Sequence, residues 1–275
     1  MKTLLRLFDT LIAPIALYGS EMFAFALSKS EARNLFVCQN KWARALIGVP
    51  GGTPACGVFR ELAINQLSTL AKIRCLKFFL NISTVSRERL VYKALKTQMQ
   101  LAENNKPCWG LLVKNALNVN GLGFLWNEYP VGQNLASRKA VLERRLKDTE
   151  IPYLEEEMDS YKQFRSFGRS HLGSARPTFY DAAPFSVYSS LARFRLNCVW
   201  SLPITRGTED SYKCTRCGVS FLKTKTWNHF LRECKEFECC LGLDRDPNSC
   251  LALSVDKNSK LSKALSSFFA KLDQK

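Results

Sequence analysis

Apolar and polar positions alternate with a helical period between residues 35 and 46. Leu35, Cys38, Trp42 and Leu46 recur at spacings of three and four residues, which places them on one face of a helix. The preceding residues Ser28-Lys29-Ser30-Glu31 have the composition of a capping box. Glycines and a proline between 48 and 52 then end the pattern. The sequence therefore predicts a helix from about residue 28 to residue 47.

Further helices follow at short intervals. Thr53 and Pro54 have the residue types of an N-cap and a first helical position, so a short helix is predicted after them. After a bend near 65–67, a longer helix carries an apolar stripe formed by Leu70, Ile73, Leu76 and Leu80. Another helix is predicted over 87–101. These stripes are typical of core packing, and they predict a helical bundle over residues 1–103.

The N-terminal residues superficially resemble a signal peptide, because Lys2 and Arg6 accompany an apolar run. Asp9 and Pro14 interrupt that run, and no small-residue cleavage site is convincing. We expect these residues to form a helix of the folded domain. No stretch approaches the ~20 uninterrupted apolar residues that a membrane-spanning helix needs.

Residues 104–190 are punctuated by glycine and proline and predict an irregular helical linker region. Two helices are expected in it, over 138–147 and 151–164. Its second half mixes cationic and aromatic side chains, namely Arg165, Arg169, His171, Arg176, Phe164, Phe167, Phe179 and Tyr180. These residues fit either a basic linker with anchoring aromatic rings or a surface that contacts phosphates and bases.

Charge and cysteine content narrow the class of protein. The 275 residues contain 40 Lys and Arg against 24 Asp and Glu, a formal charge of +16. Such an excess favours a polyanionic partner, either nucleic acid or an anionic membrane surface. The 11 cysteines are an odd number, and several lie inside apolar segments, as free thiols do in a reducing compartment. An intracellular protein is expected.

The most specific motif is a cluster of possible metal ligands. Cys214 and Cys217 are separated by two residues, eleven residues lie between Cys217 and His229, and four lie between His229 and Cys234. This spacing is that of a tetrahedral Zn²⁺ site of three cysteines and one histidine. Gly218 follows the second cysteine, where a chain wrapping around a metal often needs a positive φ. The alternative is a set of buried thiols and an ordinary histidine.

The residues around this cluster are predicted to form a small basic module over 191–240. A short helix is expected from Thr224 to Arg232, with Trp227, Phe230 and Leu231 as apolar contacts. Between residues 191 and 235 there are nine Lys or Arg against three Asp or Glu, a density that fits phosphate binding. The predicted nucleic-acid contacts are Arg193, Arg195, Arg206, Lys213, Arg216, Lys223, Lys225 and Arg232. Residues 241–275 are read as a C-terminal tail with a short amphipathic helix over 261–272.

Four segments together resemble the C-terminal part of the reverse transcriptase of non-LTR (LINE-type) retrotransposons. The segment 11–22, with its Tyr-Gly-Ser-Glu sequence, is similar to a family segment that has a proline followed by Tyr-Gly-Ser/Cys-Glu. The segment 39–50 resembles a family helix end with Gln, Arg and a final Leu-Gly step, and 53–63 resembles a Thr-Pro and Glu-Leu step. The basic run 193–200 before the cysteine and histidine cluster looks like the family's basic segment and zinc knuckle.

The resemblance implies a fold and a role. In that family the helices after the polymerase palm form the thumb, so residues 1–103 would be a thumb-like bundle in a mainly α protein. The knuckle with its preceding basic segment would contact element RNA or target DNA, and a palm in a longer chain would be a further partner. A nuclear location and no membrane partner are expected.

The residues for polymerisation are missing from this sequence. Two-metal catalysis needs paired carboxylates, and no Asp-Asp pair occurs anywhere in the chain. Asp244 and Asp246 lie in a polar stretch with a proline, where a strand-built palm is implausible. We therefore expect the chain not to be an enzyme by itself. Two functions remain open: a nucleic-acid-binding module, and a zinc-stabilised helical interaction module whose charge is solvated surface.

Overall fold

The fold is described from a computed structural model, which is mainly helical. It describes residues 2–127, 134–161, 164, 185–198, 202, 204–207, 210–226 and 229–234. The predicted C-terminal tail, Trp227 and the whole basic segment at 165–180 lie outside these residues.

Eleven α-helices and three β-strands occur in the described residues. The helices are α1 (Lys2–Leu7), α2 (Ala13–Ala16), α3 (Ser20–Phe23), α4 (Lys29–Ile47), α5 (Ala55–Leu62), α6 (Leu67–Ser83), α7 (Leu90–Glu103), α8 (Trp109–Val119), α9 (Phe124–Asn127), α10 (Leu135–Ser160) and α11 (Phe185–Arg195). The strands are β1 (Ile204–Arg206), β2 (Ser211–Cys214) and β3 (Ser220–Leu222). Further turns are π-helical at Phe8–Ile12 and His229–Glu233, and 3₁₀-helical at Lys223–Lys225.

The chain forms two compact units that are discontinuous in sequence. The first takes residues 1–5, 40–64 and 154–275, and the second takes 6–39 and 65–153. The sequence prediction instead placed segment boundaries at 103/104, 190/191 and 240/241, where punctuation or composition changes. Residues far apart in sequence build each unit, and such long-range packing leaves no mark on local composition.

Helix α4 shows how the local signals act. The Ser28 N–H donates to Glu31 Oε2 at 2.8 Å and the Glu31 N–H donates to Ser28 Oγ at 3.3 Å, which confirms the predicted capping box. The helix ends at Gly48, which has a φ of 66°. The Gly48 carbonyl accepts hydrogen bonds from Ser189 Oγ at 3.0 Å and Arg193 Nε at 2.9 Å, so the end of α4 is fastened to α11 within the first unit.

The start of α5 differs from the prediction. Thr53 does not cap the helix; its Oγ1 donates to the Pro50 carbonyl at 2.8 Å and lies 3.5 Å from Cys198 Sγ. Pro54, with a ψ of 135°, occupies the cap position and has no side-chain cap hydrogen bond. The Thr53 hydroxyl makes its hydrogen bond within the preceding turn rather than with an N–H of the first turn of α5.

The second unit is built around α6. The ring of Phe79 stacks on Trp126 with centroids 5.5 Å apart, and Phe78 meets the edge of Trp109 at 6.2 Å. The indole Nε1 of Trp109 donates to the Glu21 carbonyl at 3.0 Å, so the buried polar atom is satisfied. Helices α3, α7 and α8 pack against α6 or each other around these rings.

Helix α10 is one continuous helix, so the prediction of two helices over 138–147 and 151–164 is wrong. It runs through Pro152 without ending. Proline costs a helix about 3 kcal/mol because it removes a hydrogen bond and crowds the preceding turn. Burial outweighs this cost, since one residue in every four along the helix is buried, namely Leu142, Leu146, Glu150, Leu154 and Met158.

A small antiparallel sheet with the order β1-β2-β3 was not predicted. Ile204 pairs with Cys214, Arg206 pairs with Tyr212, and Tyr212 pairs with Phe221. Because directly opposed residues share a face, Cys214, Tyr212 and Phe221 lie on the same side of the sheet. Strands of three or four residues are too short to show a clear alternation in the sequence.

Candidate metal centre

The hairpin between β2 and β3 positions the first two ligands. Cys214 is the last residue of β2, and its N–H donates to the Val219 carbonyl at 2.9 Å. The Gly218 N–H returns to the Cys214 carbonyl at 3.0 Å, and Gly218 has a φ of 74°. This confirms the positive φ expected at Gly218, which lets the chain turn tightly enough for both thiols to face one point.

A π-helical turn positions the other two ligands. His229 begins this turn, and the Cys234 N–H donates to the His229 carbonyl at 2.7 Å. A short helix was predicted from Thr224 to Arg232. In its place the described residues form a 3₁₀ turn at Lys223–Lys225 and this π-helical turn at His229–Glu233. The wider π turn returns Cys234 to the same side as the imidazole.

The four predicted ligands converge. One ligand atom from each of Cys214, Cys217, His229 and Cys234 lies within 4.8 Å of the other three, so the group can hold a metal ion. Cys214 Sγ lies 3.9 Å from Cys234 Sγ, and Cys217 Sγ lies 3.5 Å from His229 Nε2. A tetrahedral zinc with 2.3 Å sulfur bonds needs sulfur separations of about 3.8 Å. These two pairs are close to that separation, while the full set, within 4.8 Å, is slightly wider.

Aromatic rings enclose the imidazole. Phe221 stacks on His229 with centroids 4.2 Å apart and an angle of 13° between the rings, and Phe230 meets both rings edge-on. His229 is fully buried. Burial lowers the pKa of His229, against the opposing effect of Glu233. A lower pKa favours the neutral imidazole, which is the form that binds metal.

The thiol of Cys217 is also prepared for coordination. Burial acts to raise its pKa, but hydrogen bonds with the Val219 backbone and the thiols of Cys214 and Cys234 outweigh burial, so the pKa is lowered. A lower pKa increases the thiolate fraction, and the thiolate is the metal ligand.

The outer nitrogen of the imidazole faces a carboxylate. His229 Nδ1 is buried and has no hydrogen-bond partner among the described residues, and Glu233 Oε2 lies 3.9 Å away. Ligating histidines ordinarily donate their second N–H to such a group, which fixes the ring orientation. Glu233 is half-exposed, so its side chain has room to close this distance.

The structure contradicts the predicted role of Arg195 as a phosphate contact. Its side chain is 8% exposed and its Nε lies 2.7 Å from Oε1 of the fully buried Glu61. A buried guanidinium that is paired with a buried carboxylate cannot reach a phosphate at the surface. Arg193 is partly buried, and its Nε is used by the Gly48 carbonyl.

The other predicted cations belong to the sheet and its turns. Arg206, Lys213, Lys223 and Lys225 are exposed, and Arg216 is partly buried. Lys223 Nζ lies 5.7 Å from the centroid of the Tyr212 ring, which is within the range of a cation–π contact. The side chain of Arg232 lies outside the described part of the chain. The described part of the 191–240 module thus exposes four basic side chains.

Sequence reasoning missed Phe221 and Glu233. Phe221 lies between exposed Ser220 and Leu222 in a three-residue strand. So short a strand shows no clear alternation, and the position of Phe221 four residues after Cys217 was the only sequence signal for its role beside the metal ligands. Glu233 is one helical turn after His229, a spacing at which a carboxylate reaches the ring. That spacing was the available signal.

Comparisons with protein-family models, with curated proteins and with solved structures find no match to this chain. Among the helices of the described residues, none is both long enough and apolar enough to cross a membrane. Function is therefore inferred from the residues and their geometry.

Proposed function

We propose that this chain is a nucleic-acid-binding C-terminal region of a non-LTR (LINE-type) reverse transcriptase, with a thumb-like helical bundle and a zinc-stabilised basic module. The observation that carries the proposal is the convergence of Cys214, Cys217, His229 and Cys234 in a module that exposes three lysines and Arg206. The sequence has no Asp-Asp pair of the kind that holds the two metal ions of polymerisation, so the chain is proposed to bind without catalysing. Its location would be nuclear.

Zinc is the proposed ion because of the donor set. Three thiolates and one imidazole are soft or borderline ligands, and a tetrahedral arrangement of them favours Zn²⁺ over Mg²⁺ or Ca²⁺. When bound, zinc would supply folding free energy to the module and no reaction chemistry, because all four positions are filled by protein side chains. Cys214 and Cys217 would hold the ion from the hairpin, and His229 and Cys234 would hold it from the π-helical turn.

Glu233→Gln is expected to weaken metal binding about 10-fold, the lower end of the effect of losing a carboxylate behind a ligating histidine. The carboxylate at 3.9 Å from His229 Nδ1 stabilises the ring orientation in which Nε2 faces the ion. Competition with a chromophoric chelator measures the affinity. Glu156→Gln, on the exposed side of α10, is the control and should leave the affinity unchanged. Equal affinities for wild type and Glu233→Gln would exclude this role.

Exposed apolar side chains near the N-terminus support the thumb-like interpretation. Five of them in the second unit are 44–87% exposed, namely Leu7, Leu11, Ile15, Tyr18 and Met22. Exposed apolar side chains concentrated in one short segment are typical of a surface that packs against another protein. A polymerase palm in a longer chain is the proposed partner.

The nucleic-acid proposal predicts a salt dependence of binding that arises from the metal module, the basic segment and ligand cluster over residues 191–240. Affinity for single-stranded RNA or DNA should fall with the logarithm of salt concentration, with a slope of about −0.7 for each phosphate neutralised. Replacing Arg206, Lys213 and Lys225 together by glutamate should flatten this slope by about 2 in fluorescence-anisotropy titrations, because three phosphate contacts are lost. All three side chains are exposed, so the fold should persist.

The matched control is the triple replacement of Lys93, Lys96 and Lys106 by glutamate, which changes the net charge equally at exposed positions of the second unit. It should leave the slope unchanged. If both triple variants weaken binding equally, attraction is diffuse and the module is not a dedicated site. If the wild type does not bind at ~50 mM salt, the alternative of a zinc-stabilised protein-interaction module is correct.

A further inference from the structure

The small sheet of the metal module places an aromatic ring beside cationic side chains. In the register of the sheet, Arg206 lies opposite Tyr212, and Tyr212 lies opposite Phe221. Directly opposed residues share a face, and their Cβ atoms are about 4.5–5.5 Å apart. Arg206 is exposed, Tyr212 is half-buried and Phe221 is buried. Tyr212 therefore lies where this face of the sheet passes from the interior to the surface.

The neighbours of Tyr212 hold its strand in place. Phe221 stacks on His229, one of the four candidate metal ligands, with ring centroids 4.2 Å apart. The Lys223 N–H donates to the Asp210 carbonyl at 3.0 Å, which joins the residue after β3 to the residue before β2. A ring that is already held in position loses little conformational freedom when a ligand packs on it, and this favours binding.

Lys223 brings a positive charge to the ring of Tyr212. Its exposed ammonium lies 5.7 Å from the ring centroid, near the outer limit of about 6 Å for a cation–π contact. Such a contact is weak at an exposed site, so a flat ligand can take the place of the ammonium on the ring. The flexible stem of the lysine then lets the ammonium meet an anionic group of the same ligand.

The local charge selects an anionic ligand for this ring. Among the described residues of 204–207 and 210–226, Asp210 is the only acidic one, and the basic ones are Arg206, Lys213, Arg216, Lys223 and Lys225. A cationic ligand of the kind that aromatic rings also bind would be repelled by this excess. A nucleotide combines the two required parts, because its base has a flat π face and its phosphate is an anion.

We propose that Tyr212 is a stacking platform for one unpaired base of a single-stranded nucleic acid, with Arg206 and Lys223 contacting the phosphates next to that base. This inference rests on the proposed nucleic-acid function and adds to it a contact with a base. Every base has a π face, so the contact is tolerant of sequence. Phosphate contacts alone would not distinguish a strand with bases from one without them.

Two single strands of equal charge test the proposal: a thymidine oligonucleotide of about 12 residues, within the usual size of such sites, and an abasic tetrahydrofuran strand of the same length. Fluorescence-anisotropy titrations of the full chain should show the thymidine strand bound at least about fivefold more tightly, because only this strand has bases to stack. The two salt slopes should be equal, since both strands have the same number of phosphates.

Tyr212→Leu removes the ring and keeps an apolar side chain. It should raise the dissociation constant of the thymidine strand by at least about fivefold and leave that of the abasic strand unchanged. Tyr212→Phe keeps the ring and should bind both strands as the wild type does. Tyr153→Leu is the matched control, because Tyr153 is a 60% exposed tyrosine of the second unit, and it should change neither affinity.

The outcomes separate the stacking contact from the proposed function. Equal affinities of the wild type for the two strands would overturn the stacking contact and leave phosphate binding intact, and this comparison requires no variant to fold. An equal loss of both affinities in Tyr212→Leu would give the ring a purely structural role and overturn the proposal as well. If neither strand binds at ~50 mM salt, the nucleic-acid function fails and the stacking contact fails with it.

Discussion

Replacing Cys217 with serine is expected to abolish stoichiometric zinc binding and to unfold the metal module locally. The described part of the module has three short strands and a few buried rings, among them Phe221 and Phe230. Structural zinc sites contribute about 10–16 kcal/mol of apparent binding free energy at pH 7, and small modules draw their folding free energy from it. Metal content per chain measures the first effect, and amide hydrogen exchange in β1–β3 measures the second.

Cys38→Ser is the matched control, because Cys38 is an exposed free cysteine on α4 and is not part of the metal cluster. It should retain one zinc per chain and native exchange protection. Chelation of wild-type protein should reproduce the loss of protection seen with Cys217→Ser. Protection in β1–β3 that survives both treatments would show that the buried rings suffice and that the metal is not the source of stability.

Local signals were sufficient to predict much of the helical structure. Helix α4 begins at the capping box of Ser28 and Glu31 and ends at Gly48, as expected. Gly48 has a positive φ. Both signals act within a few residues, through hydrogen bonds and φ preferences that the sequence displays directly. The ligand set of the metal centre was predictable for a related reason, since a metal site restricts the spacing and type of its ligands.

The features that were not predictable depend on distant contacts. Helix α10 continues through Pro152 because its buried stripe packs in the interior, and local propensity alone argues for a break. Arg195 looked like a surface cation because Arg and Lys are mostly exposed. Its partner Glu61 lies 134 residues away in the sequence. The residues next to Arg195 therefore give no sign that its side chain pairs with a buried carboxylate.

The buried pair of Arg195 and Glu61 is expected to give one of the largest stability effects in the protein. Arg195→Met should lower the free energy of unfolding by about 3–5 kcal/mol, because it leaves Glu61 as an uncompensated buried charge. Combining Arg195→Met with Glu61→Leu should restore much of that loss, since no charge then remains buried. Urea denaturation followed by circular dichroism measures both free energies.

Another ion pair of the first unit is the control. Glu155 is 47% exposed where it meets Arg60 at 3.1 Å, so Glu155→Gln should cost no more than about 1 kcal/mol. The same variants decide the role of Arg195 in binding. The double variant should bind nucleic acid with the wild-type salt slope, because the buried guanidinium neutralises Glu61 rather than a phosphate. A flattened slope in a folded double variant would return Arg195 to the binding surface.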